Sequence, residues 1–248
     1  MEIKEALILI AAGIFSGFAN VVAGGGSLVS LPVMIFLGLP PGIANATNRV
    51  ALIAQNIFAV AGFKSKGLSV LPYSLYLGIS ALVGSVIGAQ LSVGLDDATF
   101  KKIIALIMIA VVIVTLFNPA KKGIHSELMG RKNQIIGVIT FFFVGIYGGF
   151  IQIGIGFIMI AALTHINHFS LVKTNAAKVL IALIYTSAAL AVFIYNDMIN
   201  WTYGLILAIG NSAGGWFASR WSVAKGDVWI KRVMIIMVVA MAVKLFFY

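Results

Sequence analysis

Cysteine is missing from all 248 residues. Disulfides, thiolate metal sites and a cysteine nucleophile are therefore excluded, and composition says nothing of redox compartment. Acidic residues are scarce, with 7 Asp and Glu against 17 Lys and Arg. Asp96, Asp97, Asp197 and Asp227 fall between apolar runs and Glu2 and Glu5 near the N-terminus. No paired acids within a run suggest a carboxylate proton relay. There is no GxxxxGK[ST] and no HExxH, so nothing points to nucleotide hydrolysis or a metallohydrolase, and the chain reads as a non-enzyme that calls for no metal and no cofactor. His165 and His168 share a short polar stretch with Asn167 and read as a solvated loop.

Apolar surface is what the chain has in abundance. Hydrophobic residues make up 61% and charged residues 10%, whereas ordinary soluble domains carry roughly a quarter charged residues. Runs near the roughly 20 residues needed to cross a bilayer recur at 6–23, 42–63, 71–93, 103–117, 135–153, 171–195, 201–218 and 233–247. The first run has Glu2 and Glu5 on its flank and no small-x-small cleavage site, so it reads as a retained span, not a signal peptide. These features imply a multi-pass protein of the cell (inner) membrane with the lipid bilayer as its solvent. The net charge of +10 sits in short stretches between runs, where the positive-inside rule expects it, and does not mark a nucleic-acid partner.

Shifting the chain on itself by about 130 residues reveals a weak internal repeat, a common transporter design. Gly13, Gly17 and Phe18 fall on Gly145, Gly149 and Phe150, and Asn20 falls on Gln152. Gly24 and Gly26 match Gly154 and Gly156, Arg49 matches Lys178, and Gly84 matches Gly214. The chain divides into a first transmembrane repeat, 1–117, a polar linker, 118–134, and a second repeat, 135–248. The fold class expected is an all-α polytopic helix bundle.

Each half opens with a segment too long for one helix. In 6–38, Gly24-Gly25-Gly26 interrupts the apolar run, and glycine inside a helix costs about 1 kcal/mol relative to alanine. Pro32 is expected to add a second break. Irregular backbone at membrane depth survives only where protein or a water-lined cavity satisfies it, so each half should begin with a glycine-broken or re-entrant helix pair. If that pair enters and returns, or crosses twice, Lys64, Lys66, Lys121, Lys122, Arg131, Lys132, Lys173, Arg220, Lys225, Lys231 and Arg232 share one face. Lys4, Lys101, Lys102 and Lys244 then take the other. This layout obeys the positive-inside rule, makes the repeats inverted and puts both termini outside.

The polar residues after Pro41 follow helical spacing. Asn45, Arg49 and Asn56 share a narrow stripe flanked by Asn48 and Gln55, and the repeat puts Thr174, Lys178 and Tyr185 in the matching places. A cation inside a span costs at least ~2.5 to 3.5 kcal/mol on insertion scales, so it faces the protein interior or water unless it snorkels to the headgroups. Candidate anion-binding groups are Arg49 and Lys178, the amides of Asn20, Gln152, Asn45 and Asn48, Thr174, and the backbone N–H groups at Gly24, Gly25, Gly26 and Gly154 with the Ser27 hydroxyl. Close helix packing is the competing account of the glycines, and it is the preferred one for Gly13, Gly17, Gly84 and Gly88.

The segment GFANVVAGGGSLVSLP at 17–32, followed by LGLPP at 37–41 and ANATNRV at 44–50, resembles the TauE/SafE sulfite exporter family. The two-half layout extends the resemblance over essentially the whole chain. It implies a secondary transporter or permease for sulfur-containing oxyanions such as sulfite or organosulfonates, with 24–26 and 45–49 in the substrate region of the first half. The second half departs from the motif, reading Gly154-Ile155-Gly156 with no following proline and Ala176-Ala177 in place of Thr47-Asn48. The preferred reading is an alternating-access anion transporter whose partner is a small anionic substrate, with homo-oligomerisation left open. The alternative is a membrane-embedded structural or accessory subunit with no transport of its own.

Overall fold

The computed structural model describes residues 1–117 and 126–247. Of the charged positions singled out above, Lys121 and Lys122 of the linker and the side chain of Lys244 lie outside the described residues. The described chain is all helix with no strand: α1 (Ile3–Val22), α2 (Ser27–Phe36), α3 (Pro41–Lys64), α4 (Tyr73–Val93), α5 (Asp97–Phe117), α6 (Arg131–Phe150), α7 (Ile155–Ile166), α8 (Leu171–Tyr195) and α9 (Trp201–Phe247). Among these, α1, α4, α6 and α8 are long and apolar enough to cross a membrane. α3 is of comparable length, 24 residues, but carries the polar stripe, and the bundle buries it: Asn45, Thr47, Asn48, Arg49, Gln55 and Asn56 are all enclosed.

The glycines break the chain where expected. α1 stops at Val22 and the backbone turns through Gly24, whose φ of +88° is left-handed. α6 stops at Phe150 and the chain turns at Gly154, φ +71°, the N-cap of α7. Glycine occupies this region without the Cβ clash that penalises other residues. Pro32 makes no second break: it lies inside α2, which runs on to Phe36. Leu28, Leu31 and Met34 of α2 are packed into the core, and that contact holds the helix across one missing backbone donor.

Packing interleaves the two sequence halves. α1 lies on α9 and α6 on α4, while α3 packs on α9 and α8 on α4, with α3 and α8 meeting in the centre. The two outer crossings use the same device. Cβ atoms built on Gly13 and Gly17 of α1 would strike the backbone of Leu207 and Asn211, and those on Gly210 and Gly214 would strike Ile10 and Ile14. On the other side Gly84 and Gly88 abut Phe142 and Ile146, and Gly145 and Gly149 abut Ala81 and Ser85. Lipid tails are as apolar as leucine, so such close backbone approach, not hydrophobic exclusion, drives association. Replacing Gly145 by Val should destabilise the bundle by about 1 to 3 kcal/mol through overpacking. Thermal unfolding in detergent checks this, with Gly94→Val, where nothing lies within 4 Å, as the neutral comparison.

The helix starts are pinned in a repeated manner as well. Asp227, just past the kink at Gly226 in α9, accepts from Leu171 N and Val172 N at 2.9 and 3.0 Å and so caps α8. Asp97 accepts from Gly42 N of α3 at 3.4 Å. Acids read as loop charges in the sequence thus hold free N–H groups at helix N-termini. Asp227→Ala is expected to remove about 0.5 to 2 kcal/mol, the range for losing a helix cap, seen as a lower melting temperature with insertion unchanged.

Candidate functional site

A helix that stops inside a bundle leaves its last carbonyls without partners. α1 ends this way, and α8 supplies the donors: Lys178 Nζ donates to Asn20 O and Val21 O, both at 2.9 Å, and Asn175 Nδ2 donates to Val22 O at 3.0 Å. α6 ends the same way, and α3 supplies the donors. Arg49 Nη1 donates to Gly148 O at 2.8 Å, Arg49 Nη2 to Gly149 O at 2.6 Å, and Asn45 Nδ2 to Phe150 O at 3.1 Å. Each broken helix is therefore closed by a cation and an amide from the other half of the sequence. The positive charges sit at the negative ends of the helix dipoles.

Arg49 is wholly buried and Lys178 is 3% exposed, so neither reaches the headgroups. Their partners are carbonyls and amides: Lys178 also donates to Asn175 Oδ1 at 2.9 Å, and Arg49 lies 4.8 Å above the Phe193 ring. An ion pair between Lys173 and Glu127 lies at the periphery.

The two breaks touch. A Cβ on Gly24 would overlap the backbone of Gly156, and one on Gly156 would overlap Gly24. Beside this contact lies a small cavity, about 20 Å³ for the centre of a water-sized sphere, whose polar wall is Asn20, Gln55, Asn56, Gln152, Lys178 and Tyr185. Asn20 Nδ2 donates to Gln55 Oε1 at 3.3 Å, Gln55 Nε2 to Asn56 Oδ1 at 3.3 Å, and Gln152 Nε2 to the Tyr185 hydroxyl and to Thr186 Oγ1 at 3.3 and 3.1 Å.

Of the residues singled out from the sequence, the cavity brings together Asn20, Gln152 and Lys178. The others form the frame around it. Arg49 and Asn45 hold the end of α6. Asn48 donates to Ser27 Oγ at 3.2 Å and accepts from Ser30 Oγ at 2.9 Å, tying α2 to α3. Gly24 meets Gly156, Gly25 accepts from Leu28 N, Gly26 accepts from Ser16 Oγ, and Gly154 makes the left-handed turn. Thr174 is buried with its hydroxyl unpaired, and the task that the repeat register gives to it falls to its neighbour Asn175. Asn175 escapes a strict repeat alignment because it stands three residues before Lys178, where Asn45 stands four before Arg49. Gln55, Asn56 and Tyr185 were visible on the stripes, but their convergence on one cavity was not. The string Gly210-Asn-Ser-Ala-Gly214 fits GxSxG, yet it lies within α9 against α1, far from the strand-turn-helix that such a nucleophile requires.

An all-helical bundle with two helices broken inside it, and buried cations and amides around the breaks, is an architecture that many membrane transporters share. The family described as Sulfite exporter TauE/SafE matches residues 9–245, and the chain belongs to it. It is similar to a "Probable membrane transporter protein" of Haemophilus influenzae, 28% identical over 238 residues that cover 96% of this chain and 93% of the relative. It is also similar to the "Probable membrane transporter protein YfcA" of Escherichia coli K12, 26% identical with 97% and 89% covered. A "Probable membrane transporter protein YunE" of Bacillus subtilis is 22% identical, with 94% and 95% covered. No solved structure matches the chain.

Proposed function

We propose that this protein is a secondary transporter that moves small sulfur-containing oxyanions, such as sulfite or organosulfonates, across the cell membrane by alternating access. One observation carries the reading: two cations, Arg49 and Lys178, are enclosed beside the helix breaks and bonded to carbonyls and amides. Carbonyl dipoles offset part of a buried charge, and a mobile anion supplies the rest. The sign of the substrate follows from that deficit, and the family description supports the sulfur chemistry.

Residues 1–117 and 135–248 act as inverted repeats in this scheme. The tight crossings of α1 with α9 and of α4 with α6 suit two rigid bodies that rock about the α3–α8 centre, driven by the membrane potential or a coupled ion. Sulfite uptake into liposomes holding only the purified chain tests the function. Flux above that of empty liposomes is expected, and its absence under an imposed potential would favour an accessory subunit. Tags at both termini should be accessible from outside, with the linker cytoplasmic. Finding linker and N-terminus on one side would overturn the inversion.

A further inference from the structure

We propose that the cavity between α3, α7 and α8 is the anion's binding position, that Asn56 and Tyr185 contact it directly, and that it accepts a compact oxyanion in preference to one with an organic tail. This rests on the anion-transport reading and adds where the ligand sits, what touches it and how large it is.

The first ground is an unused donor. Asn56 is 2% exposed and lines the cavity; its Oδ1 accepts from Gln55, while its Nδ2 has no partner. A buried N–H without an acceptor is costly, and a ligand oxygen at that place removes the penalty. The second donor is on the same cavity wall: the Tyr185 hydroxyl accepts from Gln152 Nε2 and so has its own proton to give. Asn56 and Tyr185 occupy matching places in the two sequence halves, so the ligand would be held by one donor from each.

Charge comes from two further directions. Lys178 lines the cavity with its three protons already on Asn20 O, Val21 O and Asn175 Oδ1, so it contributes field and not a hydrogen bond. α7 begins there too, with Ile155 and Gly156 on the wall and no side chain capping the helix at Gly154. Its positive end is turned toward a bound anion. Arg49 gives Nη1 and Nη2 to the carbonyls of Gly148 and Gly149, reaches Gln152 Oε1 at 3.5 Å and leaves Nε unpaired. It is not on the cavity wall, so in this arrangement it is a positioning residue for α6 and Gln152 and not a ligand contact.

Size follows from the remaining walls. Ile155, Met159, Val179 and Ala182 close the apolar side, and the room of about 20 Å³ is little more than that of one water sphere. Sulfite, with four heavy atoms, already needs side chains to give way, and a propyl tail would in addition have to displace the apolar wall.

Titration calorimetry of the purified full chain with sodium sulfite and with 1-propanesulfonate tests all three parts. Wild type should bind sulfite at least about tenfold more tightly than the propyl compound. Asn56→Ala should weaken sulfite by about tenfold, the loss of one donor bond. Asn56→Asp, which sets a carboxylate against the anion, should weaken it by about a hundredfold or more. Tyr185→Phe should weaken sulfite to the same degree as Asn56→Ala. Should the Asn56 variants unfold, Ala182→Leu narrows the same cavity from its apolar side and should abolish sulfite binding. Wild-type affinity in Asn56→Asp or Ala182→Leu would place the anion elsewhere and overturn this site while leaving anion transport standing. Tighter binding of the propyl compound would overturn the size assignment. No anion binding by wild type would remove the transport reading and this site together.

Discussion

Arg49→Gln is expected to destabilise the folded bundle and to abolish transport together. The guanidinium holds two carbonyls at the end of α6 and is itself wholly buried. Hydrogen bonds to a charged group contribute about 1.5 to 3 kcal/mol each, and glutamine can restore one neutral bond at most, so a net loss of about 2 to 5 kcal/mol follows. Arg49→Lys keeps the charge but not the fork, and should lose about half as much because one carbonyl stays unpaired. Thermal unfolding in detergent, read beside sulfite flux, separates this from a direct role. A residue that only touched the ligand would leave the ligand-free melting temperature unchanged and alter affinity alone. Lys178→Gln should show the same coupling of stability and flux through the end of α1, with an added loss of affinity because Lys178 also borders the cavity.

The contact between the two breaks should be equally intolerant, and three glycines separate its causes. Gly38 has φ +95° and open space around it, so Gly38→Ala meets only the left-handed penalty, about 1 to 2 kcal/mol. Gly156 lies in the first turn of α7 with the Gly24 backbone where its Cβ would go, so Gly156→Ala meets only the overlap, about 1 to 3 kcal/mol. Gly24 combines φ +88° with the Gly156 overlap. Gly24→Ala should therefore come near the sum, about 2 to 5 kcal/mol, and eliminate transport. Equal effects at Gly24 and Gly38 would mean that the breaks are not pressed together in the membrane.

The order of those effects also marks how far local patterns reach. Three consecutive glycines announce a break because helix propensity is a local property, and α1 does end there. Pro32 carries the same local warning, yet α2 passes through it because Leu28, Leu31 and Met34 are held by the core. The stripe of Asn45, Arg49 and Asn56 was visible from the helical period alone. Its division of labour was not: Arg49 and Asn45 turn to the end of α6, while Asn56 faces the cavity. Asn175 went unseen because the repeat register, read residue for residue, pointed to Thr174, and a change of spacing from four to three moves the amide to the adjacent position.

By itself the sequence determined that this is a polytopic helical membrane protein with two broken helices and a cation on a polar stripe in each half. Composition, run length and periodicity suffice for that, since each depends on residues within a turn or a span of one another. Only the tertiary structure decided what the cations hold. The carbonyls bound by Arg49 lie 99 and 100 residues away in the chain, and those bound by Lys178 lie 157 and 158 away. Such pairings follow from how α3 and α8 cross at the centre of the bundle, and that geometry depends on the small-residue contacts of α1 with α9 and α4 with α6, which no local spacing encodes.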